Sequence, residues 1–273
     1  MKFWTLVDID LKKVLPILGV TFAILTALSV FTLRGSIVGA RIEVREMLAA
    51  SSTITDIIES SGQFTLLQII DLNHGMLYMW FGFLFLLLIA YLSFYIWYKE
   101  WFGQSKRIYM LLTLRVPRFK LILSKLTVLL IAIVIFYGVV MLNLVIGNLM
   151  LHAMMPDGLV ASGNIREVLA NAQFAGLGFF FPMSFVHLIY HLLFATVGFT
   201  VITTWVLLNR SKRILGFIAG LIYAIVAATV WIRILMMFLF YDERLLLDWT
   251  FVLVVNGLSL LISWYLINKK VTI

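Results

Sequence analysis

The sequence predicts an all-α integral membrane protein with six transmembrane helices, and three observations carry that prediction. Of 273 residues, 63% are hydrophobic and 12% are charged. A soluble domain of this length could not hide so much apolar surface from water. Six apolar runs, at 14–33, 77–98, 121–149, 183–208, 214–240 and 249–267, are each long enough to cross a bilayer of about 30 Å, which takes roughly 20 helical residues. Lys and Arg gather at alternate ends of these runs, as they do on the cytoplasmic side of membrane proteins. The runs make one transmembrane domain over 1–273, with outer segments 34–76, 150–182 and 241–248.

Each element follows from local pattern. Phe3, Val7, Leu11 and Val14 recur at helical spacing, flanked by Trp4 and Leu15, while Asp8, Lys12 and Lys13 fall on other faces. This predicts an N-terminal amphipathic helix at the membrane interface, with Pro16 opening the first span. The outer segment 34–76 is mostly polar and carries amphipathic patterns at 42–50 and 54–70. The second span is uncharged, and the third and fifth are long enough to tilt. The outer segment 150–182 contains Pro156, Gly158 and Gly163, then a helical pattern at 165–173. Its apolar tail, 174–181, is expected to dip into the interface or re-enter the membrane before Pro182. The connection 241–248 is short and charged.

Charge sets the orientation. One set of ends holds Lys2, Lys12, Lys13, Lys99, Lys106, Arg107, Arg115, Arg118, Lys120, Lys125, Arg210, Lys212, Arg213, Lys269 and Lys270. The opposite ends hold Arg34, Arg41, Arg45, Arg166 and Arg244, and most of the acids. Both termini are therefore expected in the cytoplasm. The net charge of +8 reads as a topology signal and argues for membrane lipid, not nucleic acid, as a partner. The absence of cysteine excludes disulfide and thiol chemistry. The first run lacks an Ala-x-Ala-type exit and follows Asp8 and Asp10, so it reads as a retained span.

Between the second and third spans lies a basic, amphipathic segment. Trp101, Phe102, Ile108, Leu111 and Leu112 can form an apolar stripe, with Lys106 and Arg107 on the polar side, and Pro117 turns the chain. The plain alternative is a loop whose cations only set topology. The run from Glu100 through Leu111-Leu112-Thr113-Leu114-Arg115-Val116-Pro117-Arg118 to Lys125 resembles the same connection in type-2 ABC exporter permeases. The chain is also similar to that family in size, in its six spans and in its basic C-terminal end. The resemblance implies a short cytoplasmic coupling helix that docks each permease subunit on a separate ATP-binding subunit. It also implies two such subunits per complex and a second permease subunit, identical or homologous. Glu100, Gln104, Lys106, Arg107, Leu111, Leu112, Arg115, Pro117 and Arg118 would make the coupling contact. ATP and Mg would sit on the partner, with no cofactor on this chain. Two departures stand out. Gly103-Gln104 occupies a place where many members have Gly-Thr, and the outer segments after the first and third spans are large. The phosphate-cradling Gly-x-x-x-x-Gly-Lys-Ser/Thr pattern is absent, so the motor is expected on another chain.

Polar residues inside the spans are candidates for a translocation path or for interhelical contacts: Asn143, Asn148, His187, His191, Arg233 and Asn256. His187 and His191 share a helix face, but Leu188 stands where a His-Glu-x-x-His metalloprotease needs its general base. Arg233 either meets a partner, water or a phosphate-bearing lipid within the membrane or snorkels outward. Gly216 and Gly220 have a helix-contact spacing. The resulting expectation is a non-enzymatic permease subunit of a bacterial-type, ATP-driven exporter in the cytoplasmic membrane. Its cargo would be amphipathic or hydrophobic: a membrane-active peptide, an antibiotic or a lipid-linked molecule. The alternatives are an intramembrane metal-dependent enzyme using His187 and His191, a secondary transporter, and a sensor or scaffold on a permease fold. Spans nearly free of Asp and Glu, and the lack of inverted repeats, weigh against the secondary transporter.

Overall fold

A computed structural model describes residues 3–49, 53–101, 117–156, 158–171, 185–237 and 241–269. The elements are α1 (Phe3–Ala49), α2 (Ile54–Ser61), α3 (Leu66–Trp101), α4 (Phe119–Met154), α5 (Asn164–Asn171), α6 (Phe185–Lys212), α7 (Ile214–Met236) and α8 (Tyr241–Lys269). Among the described residues the only extended pairing is an isolated parallel bridge between Phe64 and Val160. Among the described residues, five helices are long and apolar enough to cross a membrane: α1, α4, and the stretches Leu188–Lys212, Ile214–Ile234 and Leu245–Lys269 of α6, α7 and α8. The described residues are all-α, a fold compatible with a membrane protein. The predicted second span, 77–98, lies in α3, where the side chains of 71–82 are outside the described residues.

Three expectations change. The interfacial helix, the first span and the outer helix expected at 42–50, as far as residue 49, are one element, α1, whose 47 residues reach roughly 70 Å at the α-helical rise. Pro16 lies inside this helix and does not start it. The reason is a buried stripe at spacings of three and four: Leu6, Asp10, Val14, Leu18, Phe22, Leu25, Ser29, Leu33 and Ile37. A face buried along its length holds the helix together across one missing backbone hydrogen bond. Second, the pattern at 54–70 divides at Gly62. Its φ of 76° lets the chain leave α2 after its N–H bonds the Ile58 carbonyl. Third, α7 stops at Met236, short of the predicted 240.

The chain divides into two compact units. One comprises Ile17–Leu84 and Val134–Leu188. Here α4 approaches α1 and the start of α3 closely, since a Cβ on Gly147 would lie 3.1 Å from Leu33 and 3.4 Å from Leu66. Beyond the spans, Phe64 N–H donates to the Leu159 carbonyl (2.7 Å), and Ala161 N–H donates to the Phe64 carbonyl (3.1 Å). The two helices that follow α1 are capped reciprocally. Thr65 and Gln68 exchange hydrogen bonds at the start of α3, and Thr53 and Asp56 do so at the start of α2. The Thr53 side chain and backbone N–H hold the Asp56 carboxyl below the usual aspartate range. A depressed pKa means the cap is intact above the ordinary aspartate pKa and is lost as pH falls through the lower, folded value. Protection factors of the amides at residues 54–58 should therefore fall on acidification below about pH 4, and Asp56→Asn should remove most of that pH dependence.

The other unit comprises Met1–Pro16, Phe85–Ile133 and Ile189–Ile273. One core cluster gathers Leu6, Trp97, Leu121, Ile122, Leu207 and Leu266, and another gathers Val197, Val201, Ile234, Phe251 and Val252. Helices α6 and α7 form a tight hairpin through Arg213. A Cβ on Gly216 would collide with the Leu208 carbonyl, and one on Gly220 with the Trp205 indole. The small-residue spacing of the sequence is a true close approach of two helices.

Candidate functional site

The basic segment runs between the end of α3 at Trp101 and the start of α4 at Phe119. Gln104, Lys106, Arg107, Leu111, Leu112 and Arg115, with the expected coupling helix, lie outside the described residues. Glu100 is in the last turn of α3, with its side chain outside the description. Pro117 is exposed, and its carbonyl and that of Arg118 accept from Lys120 and Leu121 to begin α4. Arg118 reaches across to α8, where its guanidinium donates to the Ile267 carbonyl at 3.1 Å. That carbonyl belongs to the last turn of α8, where helix carbonyls lack intrahelical donors and a cation is favoured.

Just inside both ends of the segment lies a buried polar node that the sequence reading did not single out. Trp97 of α3 is fully buried and donates its indole N–H to Thr203 of α6 at 3.0 Å. Lys125 of α4 is 1% exposed, with its ammonium 3.1 Å from an Asp10 carboxylate oxygen and 5.2 Å from the centre of the Trp97 ring. The other Asp10 oxygen accepts from Lys13 at 2.8 Å. A buried lysine persists as a cation only where a carboxylate and other favourable contacts replace its water. Here a carboxylate and the negative face of an indole both do so. The sequence held the signal. Lys125 falls on the helical stripe of Leu121, Ile122, Val128, Leu129 and Ala132, and Asp10 falls between Leu6 and Val14. Local pattern places Lys125 at a basic membrane end, closing the run that resembles a coupling connection, and Asp10 ahead of the first span.

The polar residues within the spans divide sharply. Asn256 of α8 is the centre of a seam with α6: its amide oxygen accepts from Thr196 (3.2 Å) and Thr200 (2.9 Å), and its nitrogen donates to the Leu193 carbonyl (3.1 Å). Further along, Thr204 bonds the Ser259 carbonyl and Ser263, and Tyr223 of α7 bonds Ser259 at 2.7 Å. Interhelical bonds of this kind contribute about 0.6 kcal/mol each in lipid. Asn256 thus serves helix contact. Asn143 is buried on the α4 stripe, its carbonyl oxygen without a hydrogen-bond partner, and Asn148 is half-buried. Arg233 is exposed and sits in the last turn of α7. The early end of α7 brings it near a helix terminus, which favours snorkelling over an intramembrane pair. The side chains of His187 and His191 lie outside the description, and their backbones are in the first turns of α6.

Two clefts open in this unit. One, of about 240 Å³, is lined by Phe194, Gly198, Ala224, Ala227, Trp231 and Phe251, and its walls are almost wholly apolar. The other, of about 280 Å³, has Phe94, Tyr98, Trp205 and Phe217 on its walls, with Asn209 and Arg210. Comparison with known proteins found no matching family model, no matching curated protein and no matching solved structure.

Proposed function

We propose that the chain is the membrane-spanning subunit of an ATP-driven exporter, with six spans and both termini in the cytoplasm. In this reading, segment 102–116 receives the movement of a separate ATP-binding subunit. One observation carries the reading: the helix ends that flank the segment are fastened by long-range contacts. Trp97, one turn before the end of α3, is tied to Thr203, and Arg118 and Lys125, at the start of α4, are tied to Ile267 and Asp10. A displacement of the segment would pass into α1, α6 and α8 and would not be absorbed by fraying ends. Energy would come from the partner's different affinity for ATP in its two states, with no bond-breaking chemistry on this chain. The apolar cleft beside Trp231 suits a hydrophobic or amphipathic cargo.

The test is docking. Leu111→Asp with Leu112→Asp should lower co-purification of the ATP-binding subunit on the order of tenfold, because two apolar anchors would become charges in a groove. Membrane insertion and helicity should be unchanged. Co-purification at the normal level would refute the assignment of the segment.

A further inference from the structure

The cleft between α3, α6 and α7 has a composition the proposed transport does not explain. Its walls are aromatic. Phe94 and Phe217 each pack on Trp205, with ring centres 5.8 and 5.3 Å apart, and Trp205 is held in place against Gly220. Phe94, Tyr98 and Phe217 are exposed, so the cleft opens on an apolar outer face of these helices. One turn further along α6 its lining becomes polar, with Asn209 and Arg210. Lys212 and Arg213 follow, both exposed, in the turn into α7.

Arg213 adds an independent observation. Its φ of 50° and ψ of −123° are those of the first central position of a type II′ turn, a place where glycine is preferred. A side chain held in such a conformation strains the backbone, and such strain collects where a side chain has work to do. A glycine would turn this hairpin more easily. The sequence instead puts a guanidinium there, beside Lys212 and a turn from Arg210.

We infer that this cleft binds an anionic phospholipid, with one acyl chain against the aromatic walls and the phosphate held by Asn209, Arg210 and the Lys212–Arg213 turn. Two features favour this occupant. The apolar lining gives way to Asn209 and Arg210, and Lys212 and Arg213 follow in the next turn of the chain, matching the order of groups along a phospholipid. The opening lies on an exposed apolar face, where a bilayer would supply acyl chains. A free phosphate would satisfy the cations but not the aromatic walls. The site needs only a bilayer around these helices and is independent of any ATP-binding partner.

Native mass spectrometry of the purified full chain tests this, using phosphatidylglycerol and phosphatidylcholine with identical acyl chains. The wild type should bind the first at least about tenfold more tightly, a difference expected for charge-assisted contacts to an anionic headgroup. Arg213→Gly should erase most of that preference while leaving the melting temperature equal or higher, because it relieves the turn. Arg210→Gln should also reduce it. Lys120→Gln, which removes an exposed cation that is not part of the cleft lining, should not change it. Glycerol 3-phosphate should fail to displace the lipid. Equal binding of the two lipids by the wild type would overturn the site. So would full preference in Arg213→Gly, an equal loss in Lys120→Gln, or displacement by glycerol 3-phosphate.

Discussion

Asp10→Asn should lower stability by about 3–5 kcal/mol, the loss expected when one member of a buried ion pair is removed. The carboxylate lies between the ammonium groups of Lys125 and Lys13, at 3.1 and 2.8 Å, and is itself buried. Removing it leaves two cations close together in a site with little water. Lys125→Met should cost less, because Lys13 still neutralises Asp10 and methionine fills much of the vacated volume. The double variant Asp10→Leu with Lys125→Met should recover a large part of the loss, since replacing a buried pair with apolar groups is often close to neutral. Thermal unfolding in detergent of the wild type, Asp10→Leu, Lys125→Met and the double variant closes the cycle that gives the coupling energy. Strictly additive losses would show that the two residues do not act as a pair.

Gly216→Ala should destabilise the α6–α7 hairpin by about 1–3 kcal/mol or more, the range for overpacking a close contact. On helix propensity alone the sign would be opposite, since alanine exceeds glycine by about 1 kcal/mol in a helix interior. Space decides between them. The new methyl would meet the Leu208 carbonyl, which is backbone and cannot rotate away. Gly257 of α8 is the control. It has open space around it, so Gly257→Ala should be neutral or stabilising by about 0.5–1 kcal/mol. Unfolding temperatures that move in the same direction for both variants would show that contact does not govern Gly216.

Much of the architecture was legible in the chain because hydrophobic length is a local property. The apolar runs at 121–149, 214–240 and 249–267 lie within α4, α7 with the residues just after it, and α8. Boundaries were less legible where two local signals competed. Pro16 argued for a helix start, but the stripe from Leu6 to Ile37 continues past it. Near residue 62 the apolar pattern argued for continuity, and a glycine with positive φ ended the helix.

The candidate site was legible only in its outer, charged part. The basic segment announces itself by composition, and its resemblance to a coupling connection needs only the order of residues. The node of Asp10, Lys125 and Trp97 does not, because its members are separated by up to 115 residues. Reading Lys125 and Asp10 as topology charges was natural, since a membrane end is where solvated charges are expected.

By itself the sequence determined the solvent, the helical class and the approximate positions of the apolar spans. Each depends on how many consecutive side chains prefer hydrocarbon to water. Tertiary structure decided which polar residues lie inside: that Asn256 serves a helix seam, that Arg233 sits at a helix end, and that one lysine is buried against a carboxylate and an indole. Burial of a polar group is stable only when its partners arrive from other helices, and partner positions are a property of packing that no local stretch of residues contains.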